Sequence, residues 1–447
     1  MPADTGTRPN PLPALLPELV AAHARLEAPP AWLSRMRSDA LAALQGLQLP
    51  DEHTEAWRYT SLPALRERAN LAAPAGADSA SPLPPPTWLN AHWLNANAPA
   101  AGSMPASILR VERAPRLRRA TFSNGKLTHI DADQTIGFAL ATRKVPDHFA
   151  KLAPLQDGFV ALNGALMHDV LCIDVPPGHD GGSVLLQHCT AAALQGQVAP
   201  RVCIRLQRHA QLTLIEDLSP SGGLHNLIAE IELAPGAQLR HWRATRGGNG
   251  VSVARTYVRV QRGAHYQGYQ QLEGGLRVRE ELQIELAEEG AQASLAGVGH
   301  VLGRDHADLS LRVVHGASHT RSSSQYRGIA GGRGRFVFRG QIHIPEGVRG
   351  IDAALTNKNI LLSNDAEIDT RPELTINADD VRCSHGATVG QLDGDALFLM
   401  RARGIDEALA RALIKRAFAM AALFALPEDA VRGYLQERLQ TLLESVS

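Results

Sequence analysis

A period of about 27 residues in the middle of the chain constrains its fold more than any other feature. Leu206, Leu233, Val260, Leu286 and Val313 are separated by 27, 27, 26 and 27 residues. Ile204, Ile231, Val258, Ile284 and Leu311 stand two positions ahead of them, at the same spacings. Each pair runs into a turn: Arg208-His209-Ala210, Pro235-Gly236-Ala237, Arg262-Gly263-Ala264, Glu289-Gly290-Ala291 and His315-Gly316-Ala317. Residues two apart on a strand share a face, so each pair is apolar on one side. A unit of this length holds two short strands and two turns and buries little apolar surface alone. Stacked units bury a continuous ladder. The spacing predicts a parallel β-helix. A propeller blade needs about 40 residues and four strands, and the leucine-rich consensus is absent. An antiparallel sandwich with coincident spacing is the alternative.

The flanks read differently. Leu12, Leu15, Leu16 and Leu19, and then Leu33, Met36, Ala40 and Leu44, fall at helical spacing. Residues 72 to 105 are rich in Ala, Pro, Ser and Asn, with Pro84, Pro85 and Pro86 in a row, and read as a linker or irregular surface segment. After the repeats, residues 393 to 403 predict a short helix stopped at Gly404. Asp406 is placed to cap a second helix carrying Leu409, Leu413, Met420 and Phe424 up to Pro427. Val431, Leu435, Leu439 and Leu442 mark a last helical stripe. The expected plan is an N-terminal helical region with its Pro-rich segment over 1–105, a mainly β core over 106–392, and a C-terminal helical domain over 393–447.

Several function classes are disfavoured by composition. Lys plus Arg equals Asp plus Glu at 45 each, so no charge excess argues for nucleic acid or an anionic membrane surface. No apolar run reaches the roughly 20 residues needed to span a bilayer, and residues Met1 to Asn10 do not read as a secretory signal. Cys172, Cys189, Cys203 and Cys383 are too few in 447 residues for a disulfide framework. A cytoplasmic, reducing setting is the expectation. No G-x-x-x-x-G-K-[S/T] motif occurs, so ATP hydrolysis is not expected of this chain. Gly297-x-Gly299 and Gly332-Arg333-Gly334 match no full nucleotide fingerprint and read as turns.

Three side-chain sets bear on chemistry. Cys172 and Cys203 sit in apolar surroundings, and with Cys189 they lack the clustering of metal-ligand sets, so they read as small buried thiols. Cys383 and His385 stand two apart, which puts thiol and imidazole on one face of a strand. Iron and zinc accept both donors; the pair is either an incomplete ligand set finished by residues from elsewhere, or a core cysteine beside a hydrogen-bonded histidine. Asp365, Glu367 and Asp369 repeat the same spacing and read as a charged strand edge, or as metal or acid/base carboxylates. That second option keeps a β-helical polysaccharide lyase or hydrolase as the alternative function. Such enzymes commonly need aromatic platforms, and only 20 residues here are Phe, Trp or Tyr. His315 and His319 lie close together and, without a third ligand, read as polar surface residues.

The segment from Leu361 to Pro372 leads into Cys383-Ser384-His385-Gly386-Ala387-Thr388, then Ala396-Leu397-Phe398 and Arg401-x-Arg403-Gly404-Ile405. This run resembles the C-terminal core of the SufB/SufD family, in the form its SufD branch carries; the SufB branch has a Glu-His-Glu-Ala-Thr run at the same place. Glu55-Ala56-Trp57-Arg58-Tyr59-Thr60-Ser61-Leu62 is similar to the family's E-x-W-[K/R]-Y-T-x-L segment. The resemblance covers roughly residues 50 to 446. It implies a right-handed parallel β-helix between helical ends and a non-catalytic scaffold role in iron–sulfur cluster assembly and iron acquisition. It implies a SufB paralogue, paired end to end, and a SufC ATPase docked on residues 393 to 446, with Leu409, Leu413 and Phe418 as docking candidates. Cys383 and His385 would lie at the SufB interface and touch iron or a nascent cluster transiently, with no cofactor held tightly by the chain alone. Reduced flavin is a candidate ligand of the complex. The sequence admits a homodimer of the isolated chain as well as a monomer.

Overall fold

The structure, a computed structural model, describes residues 31–47, 49–50, 54–60, 117–131, 137–140, 147–194 and 196–425, and six positions between 432 and 443. Leu12, Leu15, Leu16 and Leu19, the Pro-rich segment, and Val431 and Leu442 lie outside the described residues.

Each coil of the chain contributes one strand to each of two sheets, and successive coils stack in parallel. The first sheet contains β1 (Leu117–Ser123), β2 (Lys126–Ile130), β5 (Asp180–Thr190), β8 (Gln211–Pro220), β10 (Gln238–Thr245), β12 (His265–Glu273), β14 (Gln292–Val301), β16 (Arg321–Ala330), β18 (Ile351–Leu361) and β20 (Val381–Gln391). The second contains β3 (Gly137–Leu140), β4 (Val170–Val175), β7 (Arg201–Leu206), β9 (Leu224–Leu233), β11 (Val251–Val260), β13 (Arg277–Leu286), β15 (His306–His315), β17 (Arg335–Ile344) and β19 (Glu367–Ile376), with the short β6 (Gln197–Val198) on β9. The result is a β-solenoid of about 8 turns. Only β2 on β1 and β3 on β4 pair antiparallel among the named strands, at the N-terminal end.

The ladder read from the sequence is the solenoid's interior. Ile173, Ile204, Ile231, Val258 and Ile284 are register partners in succession, each at most 3% exposed. The fifth repeat member departs from the reading. Leu311 faces Leu282, and Val313 takes the place beside Ile284. The cause is local. Two residues, Gly275 and Leu276, separate the register position of Gly274 from β13, whereas four residues, Leu302 to Asp305, separate β14 from β15. Equal sequence spacing therefore stops meaning equal position, although period-two parity keeps Leu311 buried.

The turns tell the same story. Left-handed backbone recurs at His209, Gly236, Gly263 and Gly290, and then at His319 rather than at Gly316. A Cβ on Gly236 would collide with the His209 ring stacked beneath it, so glycine is required there for space as well as for φ. His315, read as a surface residue, is fully buried: its Nδ1 lies 2.8 Å from Thr320 Oγ1 and its Nε2 2.9 Å from Ser322 Oγ. Burial pulls its pKa down to about 4. His319 stays half-exposed. Gly299 and Gly328 give their Cβ space to the Phe336 ring, so the glycine-rich fragment is a packing device.

Helices cover the two outer faces. Helix α1 (Ala31–Leu44) follows the helical spacing, burying Leu33, Ala40 and Leu44, and packs with α2 (Gly158–Leu166) on the outside of the second sheet, over Cys172 and Cys203. Helix α2 lies inside the stretch read as the mainly β core. After β20, Asp393 caps α3 (Gly394–Ala402), accepting from the amides of Asp395 and Ala396. Gly404 takes φ 82°, and Asp406 caps α4 (Glu407–Met420). Ala419, Ala422, Leu423, Leu435, Leu439 and Leu443 then close over Trp242, Tyr269, Val298 and Ile329 on the outside of the first sheet. Among the described residues no helix is long and apolar enough to cross a membrane.

Burial of the ladder makes a direct prediction. Val258→Asp places an unpaired carboxylate between Ile231 and Ile284 and should cost several kcal/mol, on the order of 3 or more. Arg259→Ala, on the exposed side of the same strand, should stay within about 0.5 kcal/mol. Urea unfolding of the two variants checks this; equal midpoints would contradict the stacked interior.

Candidate functional site at the open end of the solenoid

The stack stops at β19 and β20, and each has a hydrogen-bonded neighbour on one side only among the described residues. Strand β20 lies on β18 with Cys383 opposite Ala353 and His385 opposite Leu355. Both partners are 1% exposed and belong to the central core. Cys383 and His385 thus continue interior columns into the last coil, where no further described coil covers them. Cys383 is half-buried against the core and His385 is exposed. The predicted same-face spacing is met, on the lumen side of an uncovered edge.

The lumen turns polar just below. Along β18 the buried alternation Ile351, Ala353, Leu355 passes to Asn357 and Asn359. Asn359 Nδ2 donates to Asn357 Oδ1 at 2.6 Å and to the Thr388 carbonyl at 3.1 Å, and Thr370 of β19 donates to Asn357 Oδ1 at 2.7 Å. These amides tie the two final strands together. The sequence reading did not single them out, although their period-two position after three apolar residues was a readable signal. Arg371 is a second such residue. Its guanidinium lies 2.5 Å from Glu55 and 2.6 Å from Glu373, so the N-terminal E-x-W segment is latched to the last coil. Hydrogen bonding and charge from Arg371 hold the Glu55 carboxyl below the usual carboxylate range.

The carboxylate triplet does not form one site. Asp365 lies in the turn before β19, and Glu367 and Asp369 both pair with Arg335, at 3.3 and 2.8 Å. Among the described residues no three His, Cys, Asp or Glu side chains are arranged to hold a metal ion. Cys172 and Cys203 are register partners, buried outside the second sheet; Cys189 lies apart on β5. On α4, Leu409 is 55% exposed, Leu413 is half-buried, and Phe418 turns toward the solenoid with the Arg327 guanidinium 4.8 Å from its ring centre. Phe398 and Leu399 of α3 are 70% and 52% exposed, and α3 buries no residue.

The surroundings of Cys383 disfavour its thiolate. Burial first, and then the negative charge of Asp352, raise its thiol pKa, against a hydrogen bond from the Ala353 backbone. A raised thiol pKa leaves less thiolate at neutral pH. Alkylation of Cys383, read by mass spectrometry, should therefore be slow at pH 7 and climb as pH rises past the ordinary thiol range. Asp352→Asn should shift that climb to lower pH. Rapid labelling at pH 7, unchanged in Asp352→Asn, would contradict the assignment.

Residues 188–418, a little over half of the chain, match the family model described as SUF system FeS cluster assembly, SufBD core domain. An iron–sulfur cluster assembly SufBD family protein of Synechocystis is 29% identical over 252 residues, covering 54% of this chain and 56% of that protein. The iron–sulfur cluster assembly protein SufD of Escherichia coli is 32% identical over 166 residues, 37% of this chain and 39% of that one. A chloroplastic protein of Arabidopsis thaliana, ABCI7, is 23% identical over 302 residues, 64% of this chain and 63% of its own. The matched stretches span between 39% and 63% of these relatives. The match contains the solenoid from β6 to β20, both open-end strands, and α3 with nearly all of α4. The chain belongs to the SufB/SufD family of iron–sulfur cluster assembly proteins.

Proposed function

We propose that the chain is a SufD-type scaffold subunit of a SUF assembly complex. It pairs with a SufB-type paralogue through the open end of the solenoid and offers its C-terminal helices to a SufC-type ATPase. One observation carries this reading: among the described residues, the final coil leaves β19 and β20 with unpaired edges, and Cys383 and His385 face its uncovered lumen. Edge strands of 10 and 11 residues with free backbone donors and acceptors are templates for pairing with another chain. A thiol and an imidazole at such an edge form half of a ligand set for iron, the cargo. The partner's last coil supplies the rest, and burial between the two subunits excludes water from the joined site. The imidazole ligates iron or carries a proton, and the thiolate ligates iron transiently.

His385 tests this directly. His385→Ala should lower cluster formation in cells severalfold and leave the three-protein complex intact, since the side chain is exposed in the isolated chain. Cys383→Ser should be milder, the covalent sulfur step resting with the paralogue. Normal cluster content in His385→Ala, or loss of the complex itself, would count against the proposal.

The ATPase reading is supported by Phe398, Leu399 and Leu409, large apolar side chains of α3 and α4 that stay exposed among the described residues. Phe398→Asp with Leu409→Asp should weaken ATPase binding by more than about 2 kcal/mol, roughly 30-fold. Phe418→Asp would instead disturb packing on the solenoid. Unchanged capture of the ATPase by the double variant would sink the assignment of this surface.

A further inference from the structure

The E-x-W-[K/R]-Y-T segment has a role in the fold that the open end does not use. The Trp57 ring stacks on Phe159, with centres 5.1 Å apart and planes 8° from parallel, and the Arg279 guanidinium lies 4.0 Å from the centre of its ring. Arg279 also donates to the Ala56 carbonyl at 2.9 Å, to Glu281 at 2.7 Å, and to Asp308. The Thr60 hydroxyl donates to Asp308 and lies 3.2 Å from His306 Nε2. Residues 54–60 are thereby fixed as a wall standing off the outer face of the second sheet. Between wall and sheet is a cavity of about 410 Å³, within the range of small-molecule sites, about 300 to 1,000 Å³.

Its floor is set by strand register. Two outward columns cross β13, β15 and β17: Glu281, Ser310 and Arg339, and beside them Gln283, Arg312 and Gln341. Four guanidiniums line the cavity against two carboxylates. Asp157 and Glu281 are taken up by Arg255 and Arg279. Arg339 shares one nitrogen with Glu373 at 3.2 Å. Arg312 is exposed and has no acidic partner among the described residues, and Gln283 and Gln341 flank it. The cleft therefore carries a surplus of planar, fork-shaped donors with amides on either side, which suits a tetrahedral dianion. Both faces of Trp57 are occupied, so an aromatic ligand has no platform there.

We propose that this cleft binds a phosphorylated small molecule, with its phosphate held by Arg312 and Arg339. Pyrophosphate titrated calorimetrically into the full chain at physiological salt is the probe. Saturable binding at one site per chain is expected, weakened roughly tenfold or more in Arg312→Ala. Gln341→Leu should weaken it less. Arg259→Ala, which removes an exposed guanidinium of β11 outside the cleft, should bind as the parent does. Thermal unfolding of each variant verifies that the fold is intact. No saturable binding, unchanged binding in Arg312→Ala, or equal loss in Arg259→Ala would overturn the proposal. Citrate displacing pyrophosphate at equal concentration would overturn the phosphate assignment in favour of a carboxylate ligand.

Discussion

A coil of a β-solenoid has no core of its own. Its inward side chains are buried by the coils above and below and by the opposite sheet, and its backbone groups are paired by the same neighbours. Here that dependence is met through the middle of the molecule, where Ile204, Ile231, Val258 and Ile284 lie one on another. At the N-terminal end antiparallel strands finish the stack. At the C-terminal end no described element does. The lumen there fills with Asn357, Asn359 and Thr370, which hydrogen-bond to one another, and with Cys383 and His385, which remain partly or wholly open. The candidate site is a consequence of where stacking stops.

The rest of the structure is arranged around that end. The C-terminal helices leave β20 directly, so α3 begins beside the last coil before α4 and the following turns lie back along the first sheet. The N-terminal segment crosses the second sheet and is latched to the last coil by Glu55 and Arg371. Both termini therefore report on the same coil. In the proposed complex, a partner seated on the open end would sit next to the exposed apolar residues of α3, which gives a physical route for coupling the proposed ATPase to the paired subunit.

The interior ladder was legible because burial imposes period two along each strand and a near-constant period between coils. It was misread at Leu311 because the longer Leu302 to Asp305 turn breaks the second period while preserving the first. His315 was misread for a related reason. A histidine beside Gly316 and Ala317 looks like a turn residue, but the two-residue shift moves the turn to His319 and leaves His315 inside with Thr320 and Ser322. Helix ends were readable because capping is local: Asp393, Gly404 and Asp406 act within one turn of themselves. At the candidate site the spacing of Cys383 and His385 gave a shared face. Their position at an uncovered lumen could not be read from spacing, since it depends on the number of coils. The pairing of Glu55 with Arg371, 316 positions apart, is likewise invisible to any local pattern.

The central claim is that the uncovered last coil is completed by a paralogous subunit. Hydrogen exchange of backbone amides measures it most directly, comparing the isolated chain with the chain mixed with the proposed SufB-type partner. The account predicts that amides of Glu367–Ile376 and Val381–Gln391 exchange faster than those of the inner strands in the isolated chain and become protected on binding. Protection that falls elsewhere, with these two strands exchanging as they do in the isolated chain, would contradict it.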